Sequence, residues 1–71
     1  MKTGKVKFFD TTKGFGFITD DEKNTDYFVH ASGLIDKITG NDKVSFEVVD
    51  GRKGPNAVDV RLIWTWYFIL L

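Results

Sequence analysis

The stretch KGFGFI, residues 13–18, places two glycines and two phenylalanines in six positions. Successive side chains of an extended chain point to opposite faces, so the pattern predicts Lys13, Phe15 and Phe17 on one face and Ile18 on the other. Glycine costs backbone entropy and packs poorly in a strand, so two of them need a reason. We interpret them as leaving room for the two rings to lie flat and letting the sheet coil tightly.

The segments around this stretch also have the composition of short strands. We predict five strands, at residues 2–10, 15–19, 26–30, 43–50 and 57–64. A loop with a single turn near Ala31 is expected after the third, and GRKGPN at 51–56 predicts a glycine-proline turn. No segment has the apolar spacing of a helix, so five strands in 71 residues favour a small closed barrel without exposed edges.

Composition limits the kinds of partner. A chain of 71 residues forms one domain and buries only about 60% of the surface that its unfolded form exposes. It contains no cysteine, so a cytoplasmic protein without disulfides or thiolate metal sites is expected, and the lysines of MKTGKVKFFD argue against a signal peptide. Because the formal net charge is zero, nucleic-acid binding would need a local patch.

The aromatic residues provide a candidate for such a patch. If Ile18 and Val29 lie in the core, the period of two places Phe15, Phe17, Phe28 and His30 outward on neighbouring strands. Exposed rings beside lysines suit single-stranded nucleic acid, because unpaired bases stack on rings at about 1–3 kcal/mol each while phosphates meet ammonium groups. The competing interpretation is that these phenylalanines fill the core.

Four segments together extend this pattern to a known family. KGFGFI and YFVHAS at 27–32, preceded by GKVKFFD and followed by KGPNAVDV, resemble the bacterial cold-shock protein family in order and spacing. The resemblance covers roughly residues 2–61. It implies an all-β, five-stranded antiparallel barrel of the oligonucleotide-binding type. It also implies binding of single-stranded RNA and DNA with low sequence selectivity, and a role as an RNA chaperone.

The resemblance also implies roles for individual residues. It assigns base stacking to Phe8, Phe15, Phe17, Phe28 and His30. The positions that would meet the nucleic-acid backbone or a flanking nucleotide are Lys7, Lys13 and Lys53, with Asp10 at the same surface.

Several positions depart from the family pattern. Phe8 stands where the best-known members have Trp, Asp10 where Asn is usual, and Ala31 where many have another Phe. The loop after the third strand is short and lacks an aromatic residue, for which Leu34 or Ile38 is the expected partial substitute. We therefore predict weaker binding than in the family's best binders, because one or two base-stacking contacts are lost at about 1–3 kcal/mol of binding free energy each.

Other functions lack residues that they require. A dinucleotide-binding loop would need a third glycine at Thr19, and an RNA-recognition motif would need an aromatic residue at Asp20 and two helices. His30 is the only histidine, and Ser32 lies on an outward face without a pocket. We therefore expect no catalytic residue, metal or cofactor.

The chain ends in LIWTWYFILL, an uncharged stretch outside the resemblance. We divide the chain into a domain at 1–62 and an apolar tail at 63–71, which is too short to span a membrane. Three interpretations stay open for the tail: an extension of unplanned origin, a strand that joins another chain in a homodimer or strand exchange, or an added stacking surface from Trp64 and Trp66. The second would make the protein an interaction module.

Overall fold

The structure, a computed structural model, describes residues 1–51 and 54–63. Within these ranges the chain forms five strands and one short 3-10 helix. They are β1 (Lys2–Asp10), β2 (Phe15–Asp20), β3 (Asp26–His30), the 3-10 helix Ala31–Gly33, β4 (Lys43–Gly51) and β5 (Gly54–Leu62). The first four predicted strands and the turn near Ala31 are confirmed, with one residue more at the ends of β2 and β4.

The fifth strand begins three residues earlier than the sequence predicted. Pro55 and Asn56, assigned above to a turn, continue the antiparallel ladder as partners of Asp50 and Val49. The predicted turn is therefore wrong for residues 54–56, because pairing with β4 overrides the local turn preference of Gly and Pro. Ile63 follows the strand, and the predicted last strand residue, Trp64, lies outside the described residues.

The strands close into a barrel in the order β1-β2-β3-β5-β4. Neighbours pair antiparallel except β3 and β5, which make a short parallel contact between Phe28 and Asn56 and between Val29 and Ala57. This confirms the predicted five-stranded barrel. No helix in the described parts of the chain is long and apolar enough to cross a membrane.

The barrel interior is filled by side chains from every strand and from the loop before β4. Ile18 and Val29 are fully buried, as predicted, and the rings of Tyr27 and Phe46 pack with centroids 5.7 Å apart. The buried apolar residues are Val6, Ile18, Tyr27, Val29, Ile38, Val44, Phe46, Ala57 and Val60. Each large side chain among them contributes about 1.5–3 kcal/mol by leaving water.

Candidate nucleic-acid interface

Four phenylalanine rings form a contiguous cluster on the outer face of β1, β2 and β3. We call Phe8, Phe15, Phe17 and Phe28 the aromatic patch. Phe15 and Phe28 stack with centroids 5.7 Å apart and planes 25° apart. The other contacts join Phe8 to Phe15 at 6.3 Å, Phe8 to Phe17 at 5.7 Å and Phe17 to Phe28 at 5.8 Å. Phe8 is 42% exposed and the other three are half-buried, so the patch presents ring surface to solvent.

A bulge in β1 brings Phe8 into the patch. Val6 is the partner of Ile18 and Phe8 is the partner of Phe17, so Lys7 is an extra residue in β1. Strict alternation from the buried Val6 would have turned Phe8 inward. The bulge reverses the alternation, so Phe8 points outward and Phe9 packs against the core.

The two glycines of KGFGFI serve purposes other than the predicted one. Gly14 has φ 77°, a left-handed conformation that suits the turn before β2. Gly16 faces inward, where a Cβ atom would clash with the Phe8 carbonyl oxygen and lie 2.8 Å from Phe9 Cα. Gly14 is therefore needed for its backbone conformation, and Gly16 makes room for the β1 backbone and Phe9 rather than for flat rings at Phe15 and Phe17, which corrects that interpretation.

A polar network borders the patch. Lys7 Nζ lies 3.1 Å from Asp26 Oδ2, and the Thr19 hydroxyl donates to Asp26 Oδ1 at 2.8 Å. These two contacts, the hydroxyl first, lower the pKa of Asp26 below its ordinary value of 3.8. Lys7, predicted to meet the nucleic-acid backbone, is thus already paired with a carboxylate. Asp26 and Thr19 were not predicted as site residues, although the period of two places them on the same outer faces as Phe28 and Phe17.

Asp10 ends β1, and Lys13 lies in the turn between β1 and β2. The backbone N–H groups of Thr12 and Lys13 donate to Asp10 Oδ1 at 2.9 and 3.0 Å. Asp10 therefore stabilises the turn, a task for which its acceptor oxygens suffice. The Lys13 side chain is exposed, but the residue precedes β2 and so does not continue its alternating face.

His30 ends β3 on the same side as Phe28 and is the register partner of Phe15. Its side chain is exposed. The imidazole Nδ1 atom accepts from the Ser32 backbone N–H at 3.1 Å and lies 2.8 Å from the Ser32 hydroxyl oxygen.

The loop after β3 places one of the two expected substitutes for a missing aromatic residue inside the barrel. Ile38 is buried in the core, which corrects the prediction for that residue, and Leu34 is half-buried against the core. A parallel bridge between Leu34 and Val60 ties the start of this loop to β5. The exposed apolar side chain of this loop is Ile35, at 48%. Ala31 is exposed in the 3-10 helix and adds no ring.

Two predicted elements of the site lie outside the described residues: Lys53 and the tail from Trp64 onward. Among the residues that the structure does describe, no group of three or more histidine or carboxylate side chains could hold a metal ion.

The comparisons with known proteins agree with this geometry. The family model of the "Cold-shock" DNA-binding domain matches residues 2–63. A cold shock protein from Arthrobacter globiformis is 45% identical over 67 residues, covering 89% of this chain and 100% of that protein. The cold shock-like protein CspD from Bacillus cereus is 47% identical over 64 residues, covering 84% and 96%. The chain therefore belongs to the cold-shock domain family.

A solved structure has the same fold. The structure titled "drosophila Unr CSD456" superposes with a TM-score of 0.73 at 25% identity and covers 87% of this chain. The chain spans about a quarter of that longer one, 26%.

Proposed function

We propose that this protein binds single-stranded RNA and DNA by stacking unpaired bases on the aromatic patch. The observation that carries the proposal is the contact among four outward-facing rings from three adjacent strands. A monomer gains little by leaving ring surface of this kind in water, and nucleobases are flat ligands that cover it. The name of the matching family, which refers to DNA binding, supports the same proposal.

The chemistry of the patch favours low sequence selectivity. Every base has a π face, so stacking on phenylalanine discriminates weakly among bases. A protein that holds unpaired bases in this way competes with base pairing inside a transcript. The role of RNA chaperone follows from that competition and is part of the proposal.

Electrostatic attraction is expected to be secondary. The formal net charge is zero, and Lys7 beside the patch is paired with Asp26. Phosphate contacts therefore depend mainly on Lys13, which is exposed, and on Lys53. Affinity should consequently fall less steeply with salt than it does for a strongly basic protein.

The decisive test compares patch variants with a control elsewhere on the surface. Phe17→Ala and Phe28→Ala should each weaken binding of a labelled oligothymidine about five- to 150-fold, measured by fluorescence anisotropy. Val49→Ala removes an apolar side chain that is 46% exposed on β4 and should leave affinity unchanged. Circular dichroism establishes that each variant is folded. Wild-type affinity in folded patch variants contradicts the proposal.

Self-association is a second candidate function, because among the described residues part of β4 has a strand partner on one side only. β1 pairs with β4 only from Lys43 to Phe46, so within the described residues Val48 to Gly51 pair with β5 alone. An open edge of this kind accepts a strand from another chain, and the β-prone tail at 63–71 is a candidate. Sedimentation of the full chain and of a chain ending at Ile63, which keeps the Ile63 N–H bond to the Lys43 carbonyl, tests it. Equal monomeric masses exclude a tail-mediated dimer.

A further inference from the structure

The hydrogen bonds of His30 determine which of its ring nitrogens carries the proton. A backbone N–H group can only donate, and the Ser32 N–H donates to His30 Nδ1 at 3.1 Å. Nδ1 must therefore present a lone pair. In a neutral imidazole the proton then resides on Nε2.

The Ser32 hydroxyl reinforces this tautomer. Its oxygen lies 2.8 Å from Nδ1, which has no proton to donate, so the hydroxyl donates to the ring. Two donors from Ser32 thus converge on one lone pair. This arrangement also holds the ring in one orientation at the start of the 3-10 helix, where His30 is the N-cap residue.

Within the part of the chain that the structure describes, the opposite side of the ring is open to a ligand. No described residue forms a hydrogen bond with Nε2, and the His30 side chain is exposed. The ring lies at the end of β3, two residues after Phe28 and across from Phe15. Its N–H group is therefore presented next to the place where bases would stack.

We propose that His30 acts as a hydrogen-bond donor through Nε2–H to an acceptor oxygen of the bound nucleic acid, and that Ser32 is the positioning residue that sets this tautomer. This inference rests on the proposed function and adds a directional contact to the stacking. The His30 imidazole then contributes a hydrogen bond to binding in addition to a stacking surface.

The tautomer can be observed directly, because His30 is the only histidine in the chain. Two-bond proton–nitrogen correlation spectra at about pH 8, where histidine side chains are ordinarily neutral, should show an unprotonated Nδ1 and a protonated Nε2. Adding oligothymidine should shift the Nε2–H resonance. A protonated Nδ1 in the free protein overturns the inference.

Binding measurements separate the donor from the ring. His30→Phe keeps an aromatic ring without an N–H group and should bind oligothymidine about two- to tenfold more weakly than the wild type. Equal affinities of the two proteins overturn the inference but leave the proposed function intact. Failure of the wild type to bind oligothymidine removes the proposed function itself.

A second oligonucleotide identifies the acceptor. Difluorotoluene has the shape of thymine but lacks effective acceptor oxygens. If the difference between wild type and His30→Phe disappears with this analogue, the acceptor is a base carbonyl; if it persists, the acceptor is an oxygen of the sugar-phosphate backbone.

A double-mutant cycle tests the role of Ser32. Ser32→Ala should weaken binding less than His30→Phe does, and Ser32→Thr should restore it because the hydroxyl returns. In the His30→Phe background Ser32→Ala should have no further effect, since Ser32 acts through the imidazole. An equal effect of Ser32→Ala in both backgrounds contradicts this role.

Discussion

Two groups of aromatic rings in this small barrel have similar geometry and opposite exposure. Tyr27 and Phe46 pack 5.7 Å apart inside the barrel, and the four rings of the aromatic patch lie 5.7–6.3 Å apart on its outside. The internal pair excludes water and stabilises the fold. The external rings remain partly in water. Ring-to-ring contact alone therefore does not define a core, because the side of the sheet on which a ring lies decides whether it serves stability or binding.

The largest effect should come from truncating the internal group. Phe46→Ala should lower the free energy of unfolding by about 3–5 kcal/mol, because it leaves a cavity in the middle of the core. Urea denaturation followed by circular dichroism measures this loss. Phe28→Ala should cost markedly less stability while weakening oligonucleotide binding. If both variants lose similar stability, the distinction between the two groups is wrong.

The next largest effect concerns the close approach of β1 to β2 at Gly16. Gly16→Ala should destabilise the protein by about 1–3 kcal/mol, since the new methyl group would meet the β1 backbone and Phe9. Binding should also weaken, because a shift of β1 displaces Phe8. Gly40→Ala is the matched control, where the nearest atom to the added Cβ is 3.8 Å away. Equal stability of the two variants would show that β1 can move away from β2 at Gly16 without loss of stability.

A smaller effect is expected in the salt dependence of binding. Asp26→Asn frees Lys7 from its ion pair, so one more phosphate contact should form and the slope of log affinity against log salt should steepen by about 0.7. Titrations of oligothymidine at several salt concentrations measure the slope. Asp59→Asn makes the same charge change on β5, outside the patch, and should not alter it. Identical slopes for both variants would mean that Lys7 does not meet a phosphate.

The smallest effect is a pH dependence of stability at the turn after β2. The Glu22 N–H donates to Asp20 Oδ1 at 2.8 Å and, with Lys23 N–H and Lys2, lowers the pKa of Asp20 below 3.8 against the opposing effect of burial. The folded state thus favours the carboxylate, so this stabilisation is complete above the unfolded pKa and is lost as pH falls through the lowered folded pKa. As the pH is lowered below about 3.8, the urea concentration at the unfolding midpoint should decrease, and it should decrease less in Asp20→Asn than in the wild type. A parallel drop in both proteins would contradict the assignment.

Much of the barrel could be predicted because its signals are local. Alternation around Ile18 and Val29 correctly separated core from surface on β2 and β3, and turn residues marked the strand ends. The start of β5 was missed, since Pro55 and Asn56 have turn preferences that pairing with β4 overrides. Ile38 was misassigned because its burial depends on how the loop after β3 packs against the barrel, which no local pattern encodes.

The positions of the rings in the candidate site could be predicted from the sequence, whereas the contacts among its polar side chains could not. The period of two placed Phe15, Phe17 and Phe28 on neighbouring outer faces, where they are found in contact. The pairing of Lys7 with Asp26 joins residues 19 positions apart in sequence and depends on how β1, β2 and β3 align. Charges that distant in the chain cannot be matched before strand register is known.

The two-residue repeat of an extended chain was sufficient to predict a barrel of short strands and the outward faces of β2 and β3. Three features required the folded chain: Phe8 joins the outer rings, Gly16 admits the β1 backbone, and the Nδ1 atom of His30 meets the Ser32 N–H and hydroxyl groups. The first two depend on a bulge that inserts one residue into β1 relative to β2, and the third on two donors that meet one nitrogen. Strand register and the directions of hydrogen bonds are fixed only when the strands and turns pack together, so the local sequence does not encode them.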